Sequence, residues 1–172
     1  DKRAFNAFCQ KHDYPVLPLI KPAINAPWPL FVRHRTGSGG RSSRVIENWQ
    51  QWLTSRFDEK DVTCQSISTS KEYSIDVLMN LQGNPLQAVA RERINVIHGE
   101  SSEAIIVDNR KLEKMCMNLC RDLGLLGHNI VQAFVDDNGD IYFVEINARF
   151  GGGSKMSIAA GLASPKRLLQ MI

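Results

Sequence analysis

Three polar side chains occupy every second position at the end of an apolar segment, in the stretch YFVEINARFGGG (residues 142–153). They are Glu145, Asn147 and Arg149, and three glycines follow them. Alternate residues of a β-strand share one face, so a strand here would present a carboxylate, an amide and a guanidinium side by side. Carboxylate and amide oxygens bind hard divalent cations, and a guanidinium binds phosphoryl groups. The glycines would let the backbone approach a ligand closely.

The preceding segment adds another oxygen-bearing side chain if the two segments form a β-hairpin. Asn138-Gly139 is a strong signal for a two-residue hairpin loop. With these two residues as the loop, Gln132 lies directly opposite Glu145 and close to Asn147. One interpretation is the solvated outer face of an antiparallel hairpin. The other is a magnesium–nucleotide site, since Mg²⁺ binds hard oxygens and substrate phosphates together, and the apolar strand and the glycines favour it.

A glycine-rich loop in VRHRTGSGGR (residues 32–41) is a second candidate for anion binding. The backbone N–H groups of such a loop can point at a phosphate, and Arg33, Arg35 and Arg41 flank it. The loop lacks the GK[ST] ending of a Walker loop. Taken alone, a flexible surface loop is an equally good interpretation.

Two further strands carry charged residues on one face. In EYSIDVLMNL, residues Glu72, Ser74 and Asp76 alternate with apolar ones. They form either an exposed strand face or a face whose carboxylate accepts hydrogen bonds from ribose hydroxyls. On the returning strand, Arg91 and Arg93 share a face and would suit an anionic substrate, although solvated charges are the default interpretation.

The order of helices and strands indicates how these side chains are positioned. Amphipathic helices are predicted over residues 2–12 and 109–123, and further helices begin near Asn48, Ser154 and Pro165. Two hairpins are interleaved with them. This mixed order fits an α+β fold better than a doubly wound parallel sheet.

Composition limits the classes of function. The chain has 172 residues, 43% hydrophobic and 23% charged, as in an ordinary globular protein with one core or two small lobes. Its net charge of 21 − 18 = +3 is too small to indicate nucleic-acid or anionic-membrane binding. We expect no membrane span, because no apolar run approaches the roughly 20 residues that a bilayer requires. The four cysteines have no disulfide or zinc spacing, which favours the reducing cytoplasm.

In their combination and order, these segments resemble the ATP-grasp superfamily, and in particular proteins similar to the large subunit of carbamoyl-phosphate synthase. The resemblance runs along almost the whole chain, through DKRAFNAF, PLFVRHRTGSGG, CQSISTSKEYSIDVL and VQAFV…YFVEINARFGGG. The last of these resembles the family's metal-binding motif, E-x-N-P-R. The chain departs from the family pattern at His34 and Ala148, where proline is usual, and at Ser66, where an acidic residue is frequent.

The resemblance implies an ATP-grasp fold, in which two α+β subdomains with antiparallel sheets grip the nucleotide. The smaller subdomain, a nucleotide lid, would cover about residues 1–66, and the larger metal- and phosphate-binding subdomain about residues 67–172. Family members also carry an N-terminal domain ahead of the first helix, to which nothing in these 172 residues corresponds.

The resemblance also implies roles for individual residues. The expected nucleotide contacts are Lys2, Arg33, Ser38, Gly39, Gly40, Gln65, Ser66, Ile67 and Glu72. Glu145 and Asn147 would bind Mg²⁺, with Mn²⁺ as an alternative, and Gln132 would lie close by or act as a third ligand. Arg149, Arg91 and Arg93 would act in catalysis by stabilising the transferred phosphoryl group or the acceptor carboxylate.

The activity implied by the resemblance is an Mg²⁺-dependent, ADP-forming ligation. The γ-phosphoryl group of ATP would pass to a small-molecule carboxylate, and an amine, ammonia or a thiol would attack the acylphosphate. Positioning and charge neutralisation would supply most of the catalysis. Two alternatives stay open: a nucleotide-binding regulatory module without chemistry, and a structural fragment that binds nothing. The sequence indicates neither the acceptor nor the oligomeric state, for which a homodimer is one option.

Overall fold

The computed structural model describes residues 1–37, 43–97 and 99–171, with the backbone alone at Glu100, and it divides into two compact units, Asp1–Thr69 and Ser70–Ile172. The predicted boundary between the two subdomains lay after Ser66. Among the described residues, none of the helices combines the length and apolar character that crossing a membrane requires.

The first unit contains a three-stranded antiparallel sheet in the order β2-β1-β3. Its elements are α1 (Lys2–Lys11), β1 (Leu30–His34), β2 (Arg44–Ile46), α2 (Trp49–Thr54), a 3₁₀ turn (Glu59–Asp61) and β3 (Val62–Ser66). Helix α1 begins where the Asp1 side chain accepts hydrogen bonds from two backbone N–H groups. Asn48 caps α2 in the same way, as predicted. Leu30, Val32 and Val62 are fully buried in the core of this unit.

The second unit contains a five-stranded antiparallel sheet in the order β6-β5-β4-β7-β8. Its elements are β4 (Lys71–Met79), β5 (Pro85–Ile97), β6 (Glu100–Val107), α3 (Arg110–Asp122), β7 (Gly127–Val135), β8 (Ile141–Asn147), α4 (Ser154–Ala159) and α5 (Ser164–Gln170). Strand β6 was missed by the sequence analysis. The predicted α+β class with antiparallel sheets is confirmed.

The central strand β4 is buried along its length, from Tyr73 to Met79. Its apolar face packs against α3, whose buried side chains include Leu112 and Leu119. The interpretation of the other face as an exposed strand face is therefore wrong for Ser74 and Asp76, which are 5% and 0% exposed.

The hairpin of β7 and β8 places Gln132 opposite Glu145, as predicted, but the predicted two-residue loop is wrong. The strands pair up to Val135 and Ile141, so residues 136–140 form a five-residue turn. A β-bulge then leaves Val144 without a directly opposite partner and restores the expected register at Gln132.

The strand ends at Asn147, and the chain turns sharply there because the backbone N–H of Arg149 donates to the Asn147 carbonyl oxygen at 2.9 Å. Arg149 was expected to follow Glu145 and Asn147 on the same strand face if the chain stayed extended. The chain does not stay extended, so this expectation is wrong.

Candidate functional site

One face of the five-stranded sheet carries the predicted metal ligands together with a predicted catalytic arginine. Arg91 pairs with Ser74, Ser74 with Gln132, and Gln132 with Glu145, across β5, β4, β7 and β8. Directly paired residues point to the same side of a sheet. These four side chains therefore form one row perpendicular to the strands, which we call the Arg91–Glu145 row.

Other predicted residues occupy the same face on either side of this row. Asp76 pairs with Ile130, and Ile130 with Asn147, so Asn147 lies one step along the strands from Glu145. Glu72 lies two positions before Ser74 on β4, on the opposite side of the row from Asp76, and forms an ion pair with Arg93. The strand register thus brings five predicted site residues together with Arg91.

The predicted metal ligands Gln132, Glu145 and Asn147 are all half-buried. The Asn147 side-chain nitrogen donates to Glu145 Oε1 at 3.0 Å. Within the described part of the chain, no group of three His, Cys, Asp or Glu side chains is placed to hold a metal. The donor set is therefore one carboxylate with amide oxygens, which fits Mg²⁺, a cation that keeps several water ligands, better than a metal held by protein alone.

Arg91 and Arg93 do not have the solvated charges that were the default interpretation, because both are buried. The Arg93 side chain is 3% exposed, and its Nη2 donates to the Gly99 carbonyl oxygen at 2.8 Å, while its Nη1 pairs with Glu72. The buried Nε of Arg93 has no hydrogen-bond partner among the residues that the structure describes. A buried donor of this kind suits an anionic ligand.

Asp76 is the centre of a buried polar cluster that the sequence analysis missed. Its Oδ2 accepts from Arg91 Nε at 2.9 Å, Arg91 Nη2 at 2.7 Å and Ser157 Oγ at 2.7 Å. Its Oδ1 accepts from Ser154 Oγ at 2.5 Å and lies 2.9 Å from His128 Nε2. We call these five residues the Asp76 cluster. Burial acts to raise the pKa of Asp76, but the hydrogen bond from His128, the charge of Arg91 and the two serines outweigh it and lower that pKa to about 2.

Two signals in the sequence pointed toward the Asp76 cluster. Asp76 lies two positions after Ser74 in a strand whose other residues from Tyr73 to Met79 are apolar, and a buried carboxylate needs a cationic partner. Arg91 on the returning strand has the matching charge, but the sequence does not show where His128 and the helix that begins at Ser154 come to lie.

The three glycines after β8 allow the chain to cross this face of the sheet at close range. A Cβ at Gly151 would lie 2.6 Å from Ile130 Cδ1, and a Cβ at Gly153 would collide with the guanidinium of Arg91. The close approach seen here is to protein side chains, whereas the sequence analysis expected an approach to a ligand.

The remaining predicted residues lie elsewhere. In the first unit, Arg33 Nη2 donates to Gln65 Oε1 at 2.8 Å, and Lys2 Nζ donates to the Gly37 carbonyl oxygen at 3.3 Å. Ser66 and Ile67 are exposed at the end of β3. In the second unit, Arg149 is exposed, two residues after the end of β8 at Asn147. Ser38, Gly39 and Gly40 lie outside the described residues.

Curated proteins of two kinds are similar to this chain. Biotin carboxylase of Allochromatium vinosum is 24% identical over 140 residues, which cover 71% of this chain and 31% of that protein. The carbamoyl phosphate synthase large chain of Nostoc sp. is 24% identical over 151 residues, which cover 77% of this chain and 14% of that protein. The chain therefore spans less than a third of these relatives.

Solved structures share the fold. A biotin carboxylase–beta-gamma-ATP complex from Campylobacter jejuni matches with a TM-score of 0.75 at 19% identity, over 99% of this chain and 45% of that chain. The biotin carboxylase domain dimer of Hydrogenobacter thermophilus 2-oxoglutarate carboxylase, in complex with MgADP, ADP and bicarbonate, matches with a TM-score of 0.70 at 16% identity, over 90% and 41%.

A family model described as ATP-grasp in the biosynthetic pathway with Ter operon matches residues 61–172, which is more than half of the chain. This match includes β4, β5, β7 and β8 and therefore all of the Arg91–Glu145 row. The predicted ATP-grasp fold is confirmed by the solved structures, and the predicted kinship with carbamoyl phosphate synthase by the curated relative. The chain belongs to the ATP-grasp family.

Proposed function

We propose that this chain is the nucleotide- and metal-binding part of an ATP-dependent, ADP-forming carboxylate ligase. In this proposal, the γ-phosphoryl group of ATP passes to a small-molecule carboxylate to give an acylphosphate. An amine, ammonia or a thiol then displaces phosphate. The observation that carries the proposal is the sheet face of the Arg91–Glu145 row, on which the carboxylate of Glu145 and the amides of Gln132 and Asn147 lie together with Arg91 and Arg93.

The second unit would hold the metal and the phosphates. Glu145 and the side-chain oxygen of Asn147 would coordinate Mg²⁺, with Gln132 beside them and Mn²⁺ as a substitute. When bound, the cation supplies charge neutralisation of the phosphate oxygens. The Asn147 side-chain nitrogen donates to Glu145 Oε1, and the side-chain oxygen of Asn147 would be the atom that coordinates the cation.

The arginines would have different tasks. Arg149 is exposed next to the proposed metal ligands and would contact the transferred phosphoryl group. Arg93 would contact an anionic substrate group through its unsatisfied Nε. Arg91 is 2% exposed and held by Asp76, so its contribution would be a fixed positive charge at the end of the row.

The proposed nucleotide contacts are those that the resemblance implies. Lys2, Arg33, Ser38, Gly39 and Gly40 would bind phosphates, residues Gln65–Ile67 would border the adenine, and Glu72 would accept hydrogen bonds from ribose. Because Glu72 is paired with Arg93 in the structure, ribose binding would have to share or replace that pair.

Substitution of Glu145 tests this proposal. In the full-length protein that contains this chain, ADP release is measured with ATP, Mg²⁺ and a panel of candidate carboxylates and amines. We expect acceptor-dependent ADP release in the wild type and its loss in Glu145→Ala, while Asp140→Ala, in the hairpin turn, serves as the control. Unchanged turnover in Glu145→Ala would remove the metal assignment. ATP binding without acceptor-dependent ADP release would indicate the regulatory module instead.

A further inference from the structure

We propose that Asp76 is a positioning residue that fixes the place of Arg149 through the segment Ala148–Gly153. This inference rests on the proposed function, in which Arg149 contacts the terminal phosphoryl group of ATP. Asp76 itself is fully buried and would touch no substrate. Its influence passes through three contacts, which start at its carboxylate and end on this segment.

The first contact passes through Ser154. Its hydroxyl donates to Asp76 Oδ1 at 2.5 Å and accepts from the backbone N–H of Gly151 at 3.0 Å. Ser154 is 2% exposed, so water does not compete for this hydroxyl. The backbone two residues after Arg149 is thereby tied to the central strand of the sheet.

The second contact passes through His128. Because the carboxylate of Asp76 is an acceptor, His128 Nε2 donates to it, and Nδ1 lies 3.0 Å from Ser164 Oγ. These two bonds fix the plane of the imidazole ring, which stacks on Phe150 with a centroid distance of 4.0 Å and an interplanar angle of 13°. The Phe150 carbonyl oxygen in turn accepts from Arg149 Nη1 at 3.0 Å.

The third contact passes through Arg91. Asp76 and Ser157 hold its guanidinium in place, at 2.7 Å from Asp76 and 3.0 Å from Ser157. The backbone at Gly153 packs directly on this guanidinium, where no larger residue fits. The segment is thus supported at Phe150, Gly151 and Gly153, and each support leads to the same carboxylate.

The segment lies between the end of β8 and the start of α4, and its backbone hydrogen bonds are local. The N–H of Arg149 donates to the Asn147 carbonyl oxygen, and the carbonyl oxygens of Gly151 and Gly153 accept from the N–H groups of Ser154 and Met156. Loss of the Asp76 charge should therefore displace Arg149 before it disturbs the sheet. The quantity that reports the position of Arg149 is the preference of the protein for a nucleotide with a γ-phosphate over one without.

The test measures the dissociation constants of Mg²⁺ with a non-hydrolysable ATP analogue and of Mg²⁺ with ADP, in the full-length protein. Their ratio in the wild type should fall about tenfold in Arg149→Met, as expected for the loss of one charge-assisted contact. We expect a similar fall in Asp76→Asn. In the double variant the ratio should fall no further, because both changes remove the same contact.

Two further variants keep the test decisive. Phe150→Ala removes a side chain that is 43% exposed, so it does not threaten folding, and it should also lower the ratio. Asp136→Asn makes the same chemical change in the turn of the hairpin, where an amide oxygen can still accept, and should leave the ratio unchanged.

If Asp76 had a purely structural role, Asp76→Asn would lower the melting temperature, and neither Asp76→Asn nor Phe150→Ala would change the ratio of dissociation constants. That result would overturn the inference. Additive effects of Asp76→Asn and Arg149→Met would overturn it as well. Failure of the proposed function would be seen differently. The wild type would then bind nucleotide without any dependence on Mg²⁺, and Glu145→Ala would bind it equally well.

Discussion

Two carboxylates on the same face of one sheet have opposite surroundings. Asp76 is fully buried and surrounded by a guanidinium, an imidazole and two hydroxyl groups, all within hydrogen-bond distance. Glu145 is half-buried and lies beside two amide side chains, those of Gln132 and Asn147. The charge of Asp76 is neutralised by protein, so that carboxylate stabilises the fold. Glu145 lies instead beside amide groups, whose oxygens belong to the ligand set that we propose for Mg²⁺.

The largest expected effect concerns the stability contribution of Asp76. Asp76→Ala leaves the buried guanidinium of Arg91 without its carboxylate, which should lower the free energy of unfolding by about 3–5 kcal/mol. Chemical denaturation followed by circular dichroism measures this change. A loss of less than about 1 kcal/mol would show that Arg91 finds other partners, and the contrast between the two carboxylates would then fail.

The pH dependence of unfolding should carry the signature of Asp76. Its pKa is about 2 in the folded protein, below its ordinary value of 3.8, so its contribution of about 2 kcal/mol is present above pH 3.8 and is lost as the pH falls toward 2. Denaturation midpoints measured across this range test the sign. In Asp76→Asn this part of the acid-induced loss should be missing, and an unchanged pH profile would contradict the prediction.

The glycine segment gives a smaller effect with a specific rescue. Gly151→Ala places a methyl group against Ile130 Cδ1 and should cost about 1–2 kcal/mol of stability. Ile130→Val removes that atom, so Gly151→Ala should cost less in the Ile130→Val background. Thermal unfolding of the wild type, the two single variants and the double variant measures the coupling. Equal costs in both backgrounds would show that the contact does not limit the approach of the segment.

The smallest expected effect on stability is that of Glu145→Gln, which keeps the shape of the side chain. We expect a change of less than about 1 kcal/mol in the free energy of unfolding, because Glu145 is half-buried and glutamine keeps one accepting oxygen. The same variant should lose the rise in melting temperature that Mg²⁺ with ATP gives the wild type. A large loss of stability without ligand would assign Glu145 a structural role like that of Asp76.

The sequence predicted most of what depends on local signals. The cap at Asn48, the helix predicted over residues 109–123 and found at Arg110–Asp122, and the antiparallel pairing of β4 with β5 all follow from nearby residues and are confirmed. The pairing of Gln132 with Glu145 was also predicted correctly, although two errors compensated: the turn is longer than two residues, and a bulge absorbs the difference. Turn length and bulges depend on strand twist and packing, which periodicity does not report.

The burial of charged residues could not be predicted in the same way. Alternation placed Asp76 on the correct face, but whether that face is covered depends on Ser154 and Ser157, which are about 80 residues away in sequence. Likewise, the chain turns after Asn147, so Arg149 does not share the strand face of Glu145 and Asn147. Contacts of Phe150 and Gly151 with distant parts of the sheet set this turn. Long-range packing decides these features, and a single sequence gives no measure of it.

The unpaired Val144 makes β8 one residue longer than the stretch of β7 that it accompanies. Losing this residue would leave a regular ladder in which Glu145 still faces Gln132, whereas losing Ile146 would send Asn147 to the opposite side of the sheet. A deletion at Val144, between the turn and Glu145, is therefore compatible with the site. A deletion between Glu145 and Asn147 is not.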